Sequence, residues 1–285
     1  MKLFIITAFC IISSIQFSCV APNKTKLVRI MDKDVNIAYT DTSKGDTTLL
    51  FVHGWCINRS YWANQVNYFS KKYRVVTIDL PGFGQSGKNR NEWNMEAYSR
   101  DVNCVITQLH LKKVILIGHS MAGDIVLQAA ANATKQVIGL VGVDNFKGVG
   151  GPMPSKKDTA DYLQAINELK HHFKKVSVQY VTYDLFYKTT PDSIKKRVLA
   201  DVAKADSSIA TAALMMSNFD EVKTLIAAKQ KLYLINSDIH KTDTTGLAKN
   251  HIPFLVKYVH ATGHFPMIEK PAAFNAALGE IIKEI

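Results

Sequence analysis

The sequence predicts an α/β fold, a mostly parallel, doubly wound sheet with helices between its strands. Three observations carry that expectation. Apolar runs at 48–52, 74–78, 114–117 and 137–143 are continuous rather than alternating, as in strands buried on both faces. Segments with helix-start signals separate these runs, and strands that alternate with helices build parallel sheets. The length, 285 residues of which 47% are hydrophobic, suits one large domain, with or without an insertion.

Taken in order, the elements begin with a targeting segment. Lys2, the apolar run 3–15 and Ser18-Cys19 read as an export signal over residues 1–18, because the run is too short to span a bilayer. Ser18 before Cys19 resembles the end of a bacterial lipobox, although Gln16 stands where an aliphatic residue is usual, so lipid attachment at Cys19 stays open. The expected location is exported: periplasmic, envelope-anchored or extracellular. Runs at 27–31 and 35–39 around Asp32-Lys33-Asp34 read as an antiparallel hairpin. Helices are expected from a Ser60 cap through Phe69, from Asn94 through Leu109 and from Met121 through Asn132. Later strands fall at 232–235 and 254–259, with a last helix over 271–282 that Pro271 opens. The core is thus expected over 25–146 and 230–285.

Residues 147–229 interrupt the alternation. Gly148-Val149-Gly150-Gly151 is a flexible exit, and helical spacing follows at Tyr162, Ile166, Leu169 and Phe173, then again from Ile194. A helical cap inserted after the sixth strand is the expectation. Phe173, Tyr180, Tyr183, Phe186, Tyr187, Met215, Met216 and Phe219 crowd it; most should hold the cap together and a minority face a pocket.

The formal net charge is +11, yet between Phe146 and Ile226 the lysines and arginines are mixed with Asp and Glu instead of forming a basic stripe with aromatics. A mixed, solvated surface follows, with a small-molecule substrate as partner, no nucleic acid, and membrane contact only through a lipid at Cys19. Beyond the first 18 residues the cysteines are Cys19, Cys56 and Cys104; export would permit a disulfide, but sequence leaves the pairing of Cys56 and Cys104 open. No Cys-x-x-Cys and no His pair at ligand spacing suggests a metal site.

The chemistry concentrates at Gly118-His119-Ser120-Met121-Ala122, between the strand ending at Ile117 and an Ala-rich helix. A serine at such a corner is a nucleophile elbow, whose small flanking residues let strand and helix pack closely while the hydroxyl projects. Ala122 stands where Gly is usual, with Gly123 behind it. His53-Gly54-Trp55, the stretch Asp79-Leu80-Pro81-Gly82-Phe83-Gly84-Gln85-Ser86, Val143-Asp144-Asn145 and Gly263-His264-Phe265-Pro266-Met267 each follow a strand. Together with the elbow they resemble the α/β-hydrolase superfamily over residues 27–285, specifically capped members such as small esterases, cofactor-free haloperoxidases and haloalkane dehalogenases. The resemblance implies an α/β-hydrolase fold and leaves the substrate open.

Ser120 needs a base, since a neutral hydroxyl is a poor nucleophile. Among nine histidines, His264 lies in a loop at the carboxyl end of a strand, where open α/β sheets bind ligands. His119 should point into the elbow, and His53 should steady the loop at Gly54. The acid is either Asp144 or Asp238. The resemblance places an acid after the seventh strand in many hydrolases, where this chain has Ser237-Asp238-Ile239-His240, and after the sixth in some dehalogenases, where it has Asp144. Asp144 is favoured. The dehalogenases attack carbon with a carboxylate, which Ser120 cannot imitate, so acyl transfer is expected: Ser120 attacks, His264 shuttles the proton, the acid steadies the imidazolium, and the backbone N–H groups of Trp55 and Met121 hold the oxyanion. No cofactor is required. The expected enzyme is a serine carboxylesterase for a small ester; the alternatives are a perhydrolase or carbon–carbon bond hydrolase with the same triad, and a ligand-binding protein with a vestigial one.

Overall fold

The computed structural model describes residues 26–29, 35–133, 135–152, 155–215 and 219–285. The export segment 1–18, the lipid-attachment residue Cys19, the hairpin turn Asp32-Lys33-Asp34 and Met216 lie outside the described residues.

Among the described residues, eight strands form one sheet in the order β1-β2-β4-β3-β5-β6-β7-β8. β1 (Lys26–Arg29) and β2 (Asn36–Asp41) pair antiparallel, and β2 pairs antiparallel with β4 (Arg74–Ile78). From there the pairing is parallel: β4 with β3 (Thr48–Val52), then β5 (Val114–His119), β6 (Val137–Val143), β7 (Leu232–Ser237) and β8 (Phe254–Val259). β3, β5 and β7 are buried at every position, which is why their sequences are apolar runs without alternation.

The helices in chain order are α1 (Ala63–Phe69), α2 (Met95–Gln108), α3 (Ala122–Asn132), α4 (Lys156–Tyr180), α5 (Asp192–Lys204), α6 (Ser207–Leu214), α7 (Glu221–Ala228), α8 (Thr245–Lys249), α9 (Pro266–Glu269) and α10 (Pro271–Glu284). α1 packs against α9 and α10, whereas α2, α3 and α7 form a second group. α4 to α7 all stand between β6 and β7, and a wider turn at Val181–Leu185 prolongs α4. Among the described residues, no helix is long and apolar enough to cross a membrane.

Three details correct the sequence reading. Ser60 does not cap α1: the Asn58 side chain accepts from the Ser60 N–H at 3.1 Å and caps a tight turn over Arg59–Trp62, so α1 starts only at Ala63. Asn58 is the stronger capping residue of the two by position, because its short side chain curls back onto its own backbone two residues on. Tyr162 leaves the buried stripe of α4, being 44% exposed with its hydroxyl donating to Leu214 O at 2.8 Å; Ile166, Leu169 and Phe173 keep to it. A phenol with a carbonyl in reach gains more at the surface than in the core. Short α8 and α9 were not expected at all. Cys56 and Cys104 both remain thiols.

Candidate active site

The elbow is built by close packing. Ser120 sits at φ +55°, a left-handed conformation that L-residues avoid unless the surroundings impose it. Its N–H donates to Val143 O at 2.9 Å, its carbonyl accepts from Gly123 N–H at 2.8 Å, and the Asn145 amide donates to Gly118 O at 3.2 Å and to Ser120 O at 3.1 Å. A Cβ on Gly123 would collide with that amide, and one on Gly54 would come within 2.9 Å of Ser120 Cβ. Ala122, where glycine is usual, fits fully buried.

Three side chains meet in line. Ser120 Oγ donates to His264 Nε2 at 2.7 Å, and His264 Nδ1 donates to Asp144 Oδ2 at 2.6 Å. Asp144 leaves the end of β6 at φ +49° and is 3% exposed. Its second oxygen, Oδ1, accepts from Ser237 N–H at 2.8 Å and Ser237 Oγ–H at 2.6 Å, and Lys147 Nζ lies 2.8 Å away. Burial alone would raise its pKa, but the His264 hydrogen bond and charge and the Lys147 ammonium outweigh burial and hold the carboxyl well below its ordinary range. The group facing His264 is therefore a carboxylate.

Asp238 faces elsewhere. Its oxygens accept from His260 Nδ1 at 2.9 Å and Ala261 N–H at 2.7 Å, on the exposed side of the β7 loop. His240 is exposed too. Ser237, in the stretch after the seventh strand where an acid was also considered, instead donates to Asp144. Lys147 was missed as well; its place three residues after Asp144 was the signal, readable only once Asp144 was assigned.

His53 and His119, both buried, hold backbone. His53 Nε2 accepts from Leu80 N–H at 2.9 Å, so its Nδ1 carries the proton and donates to Gly54 O at 2.7 Å; burial lowers its pKa. His119 Nε2 donates to His264 O at 2.7 Å, with the two rings 4.8 Å apart. Burial, and then the nearby His264 charge, push the His119 pKa down to about 3, so it stays neutral beside the base. The segment after β6 contributes further: Leu185 O accepts from His264 N–H at 2.8 Å, and Glu269 Oε2 accepts from Gly263 N–H at 3.0 Å and Thr190 Oγ–H at 2.7 Å.

Ser120 and His264 open into a cavity of about 210 Å³ that Trp55 and Met121 also line, Met121 at the N-terminal end of α3, where helix N–H groups lack intrahelical partners. The segment after β6 supplies Tyr180, Val181, Leu185, Val202, Ala213 and Leu214 to the wall. The aromatic and sulfur residues singled out by sequence mostly stand aside: Phe173 packs edge-on against Trp55 at 5.9 Å, Phe186 lies against Phe265 at 6.2 Å, and Met215 and Phe219 border a separate outer groove.

Known proteins match this chain in sequence or in fold. A non-heme chloroperoxidase of Streptomyces lividans is 35% identical over 100 residues, which are 34% of this chain and 36% of that protein. A second, from Burkholderia pyrrocinia, is 34% identical over 101 residues, 35% of this chain and 36% of its own. The matching segment thus spans about a third of the length of these curated relatives. A bromoperoxidase of Bacillus anthracis superposes with TM-score 0.79 at 19% identity, covering 91% of this chain and 100% of its own. A thermophilic esterase of Thermogutta terrifontis does so with TM-score 0.77 at 20% identity, covering 92% and 98%. At such identities the two superpositions speak for the fold. The sequence profile of the alpha/beta hydrolase fold matches residues 47–271, and with that match the chain belongs to the α/β hydrolase fold family.

Proposed function

We propose that this protein is a serine hydrolase that cleaves a small carboxylic ester through an acyl-enzyme. The observation that carries the reading is the unbroken chain Ser120 Oγ, His264, Asp144, with hydrogen bonds of 2.7 and 2.6 Å. Ser120 attacks the carbonyl as His264 takes its proton; the tetrahedral oxyanion is held by the N–H groups of Met121 and Trp55; His264 then protonates the leaving alcohol. Water repeats the sequence on the acyl-enzyme, and Asp144 fixes the imidazole tautomer throughout. The cavity is small and largely apolar, which supports a short acyl or alcohol portion. An esterase and an enol-lactonase share this fold, which supports the same carbonyl chemistry. The chloroperoxidase names among the relatives favour one second reading, perhydrolysis, in which hydrogen peroxide replaces water in attack on the same acyl-enzyme.

A panel of p-nitrophenyl esters from acetate to palmitate, assayed with and without hydrogen peroxide, tests both. Hydrolysis concentrated on short chains supports the esterase; peracid release exceeding hydrolysis supports the second reading; no turnover of any ester contradicts both.

A further inference from the structure

Three successive residues at the end of β6 reach three different parts of the catalytic apparatus. Val143 O accepts from Ser120 N–H at 2.9 Å, and Asp144 Oδ2 accepts from His264 Nδ1 at 2.6 Å. Asn145, next in the chain, sends its amide under the elbow, where Nδ2 donates to Gly118 O at 3.2 Å and to Ser120 O at 3.1 Å. The triad does not include this side chain, yet the bond to Ser120 O bears on where an oxyanion is held. The Ser120 carbonyl and the Met121 N–H belong to one planar trans peptide, in which the two groups point to opposite sides. Whatever fixes the carbonyl therefore fixes the N–H.

Two donors share that carbonyl, one for each of its lone pairs. Gly123 N–H, at 2.8 Å, lies in the same helix start and moves with it. Asn145 Nδ2 ties the peptide to the sheet instead. Residue 145 is itself anchored: its backbone N–H donates to Asn236 Oδ1 at 3.3 Å, its carbonyl accepts from Asn236 Nδ2 at 3.2 Å, and Asn236 is fully buried in β7. Room for the amide exists because residue 123 is glycine; a Cβ there would collide with Nδ2, and the atoms it would meet are all side-chain atoms. Ser120 stands at φ +55°, a conformation that persists only where the surroundings impose it, so an anchor from outside the elbow has a reason to be there. A donor on the carbonyl also polarises the peptide and strengthens the N–H on its other side.

We propose that Asn145 is a positioning residue for the oxyanion hole: its amide, bonded to the Ser120 carbonyl, aims and polarises the Met121 N–H towards the oxygen that becomes negative on the substrate. The proposal rests on the hydrolase reading and adds to it that one strand end sets nucleophile, base and oxyanion donor together, through Val143, Asp144 and Asn145.

Asn145→Ala removes the amide, and Gly123→Ala displaces it with Asn145 still in the chain, so each variant serves if the other does not fold. Both are compared with the wild type on a p-nitrophenyl ester and on its thionoester, in which sulfur, a weak hydrogen-bond acceptor, stands where the oxyanion forms. In folded variants kcat on the ester should fall about 10–100-fold, with KM within about twofold, since the Trp55 N–H remains and the lost interaction belongs to the transition state. The ratio of kcat/KM for ester over thionoester should fall about tenfold, whereas a merely misplaced nucleophile would slow both substrates alike. Unchanged kcat, a loss shared equally by the two substrates, or a loss carried by KM alone would each overturn the proposal. A wild-type protein that neither turns over ester nor takes a fluorophosphonate on Ser120 overturns the hydrolase reading and this inference with it; an active, labelled wild type whose folded variants keep the full ester preference overturns this inference alone.

Discussion

Asp144 and Asp238 differ in what their oxygens face, and function should follow the difference. Asp144→Asn removes the carboxylate that bonds His264 Nδ1 and leaves the amide to impose the wrong tautomer, so kcat should fall roughly 10⁴-fold in folded protein. Asp238→Asn loosens only His260 and Ala261 on the surface and should change kcat less than about threefold. Steady-state kinetics on one short ester, with circular dichroism to verify folding, checks both. Sequence named Ser120 and His264 from local context alone, the one at a strand-to-helix corner and the other in a loop after a strand. It left the acid open because His264 lies 120 positions from Asp144, and only the pairing of β6 with β7 decides which loop carboxylate the ring meets. Ser237 and the bond from His119 to the His264 carbonyl belong to that same long-range category, whereas Lys147 stands only three residues from Asp144.

At the level of elements, the catalytic loop after β8 is clamped by the chain that follows α4. A Cβ on Gly263 would lie 2.5 Å from Leu185 O and 2.7 Å from Tyr187 N, both backbone atoms that cannot swing aside. Gly263→Ala should therefore push apart the loop and the Val181–Leu185 turn, strain the His264 N–H to Leu185 O bond and cost about 1–3 kcal/mol of stability. Denaturant melts read the stability, and kcat should drop with it, since a base displaced by even 1 Å loses its near-attack geometry. Element types were legible because the parallel strands carry continuous apolar runs and Asn94 and Pro271 mark helix starts. Boundaries were less so. Asn58 rather than Ser60 is the capping side chain, and α8 and α9 are too short to show a period.

For the whole molecule, the segment between β6 and β7 supplies much of the cavity wall, so it should set chain-length preference. Val181→Ala and Leu185→Ala should each shift the optimum towards longer acyl chains, by about 1–3 kcal/mol of discrimination per methylene, whereas Met215→Ala should not, because Met215 borders the outer groove. The ratio of kcat/KM across butyrate, hexanoate and octanoate esters reads this out. Helical spacing announced the insertion but not which of its side chains face inward; that is decided by how α4 to α6 lie over Ser120. Export is a separate proposal: native protein should begin at or near Cys19, and mass spectrometry showing an intact Met1 on cytosolic material would contradict it, while a diacylglyceryl mass on Cys19 would identify a lipoprotein. The central claim, that Ser120 is a nucleophile activated by His264 and Asp144, is tested most directly by intact-protein mass spectrometry after exposure to a fluorophosphonate. The account predicts a single adduct mapped to Ser120, absent in Ser120→Ala and slowed by orders of magnitude in Asp144→Asn; an unmodified wild-type protein, or an adduct that persists in folded Ser120→Ala, would contradict it.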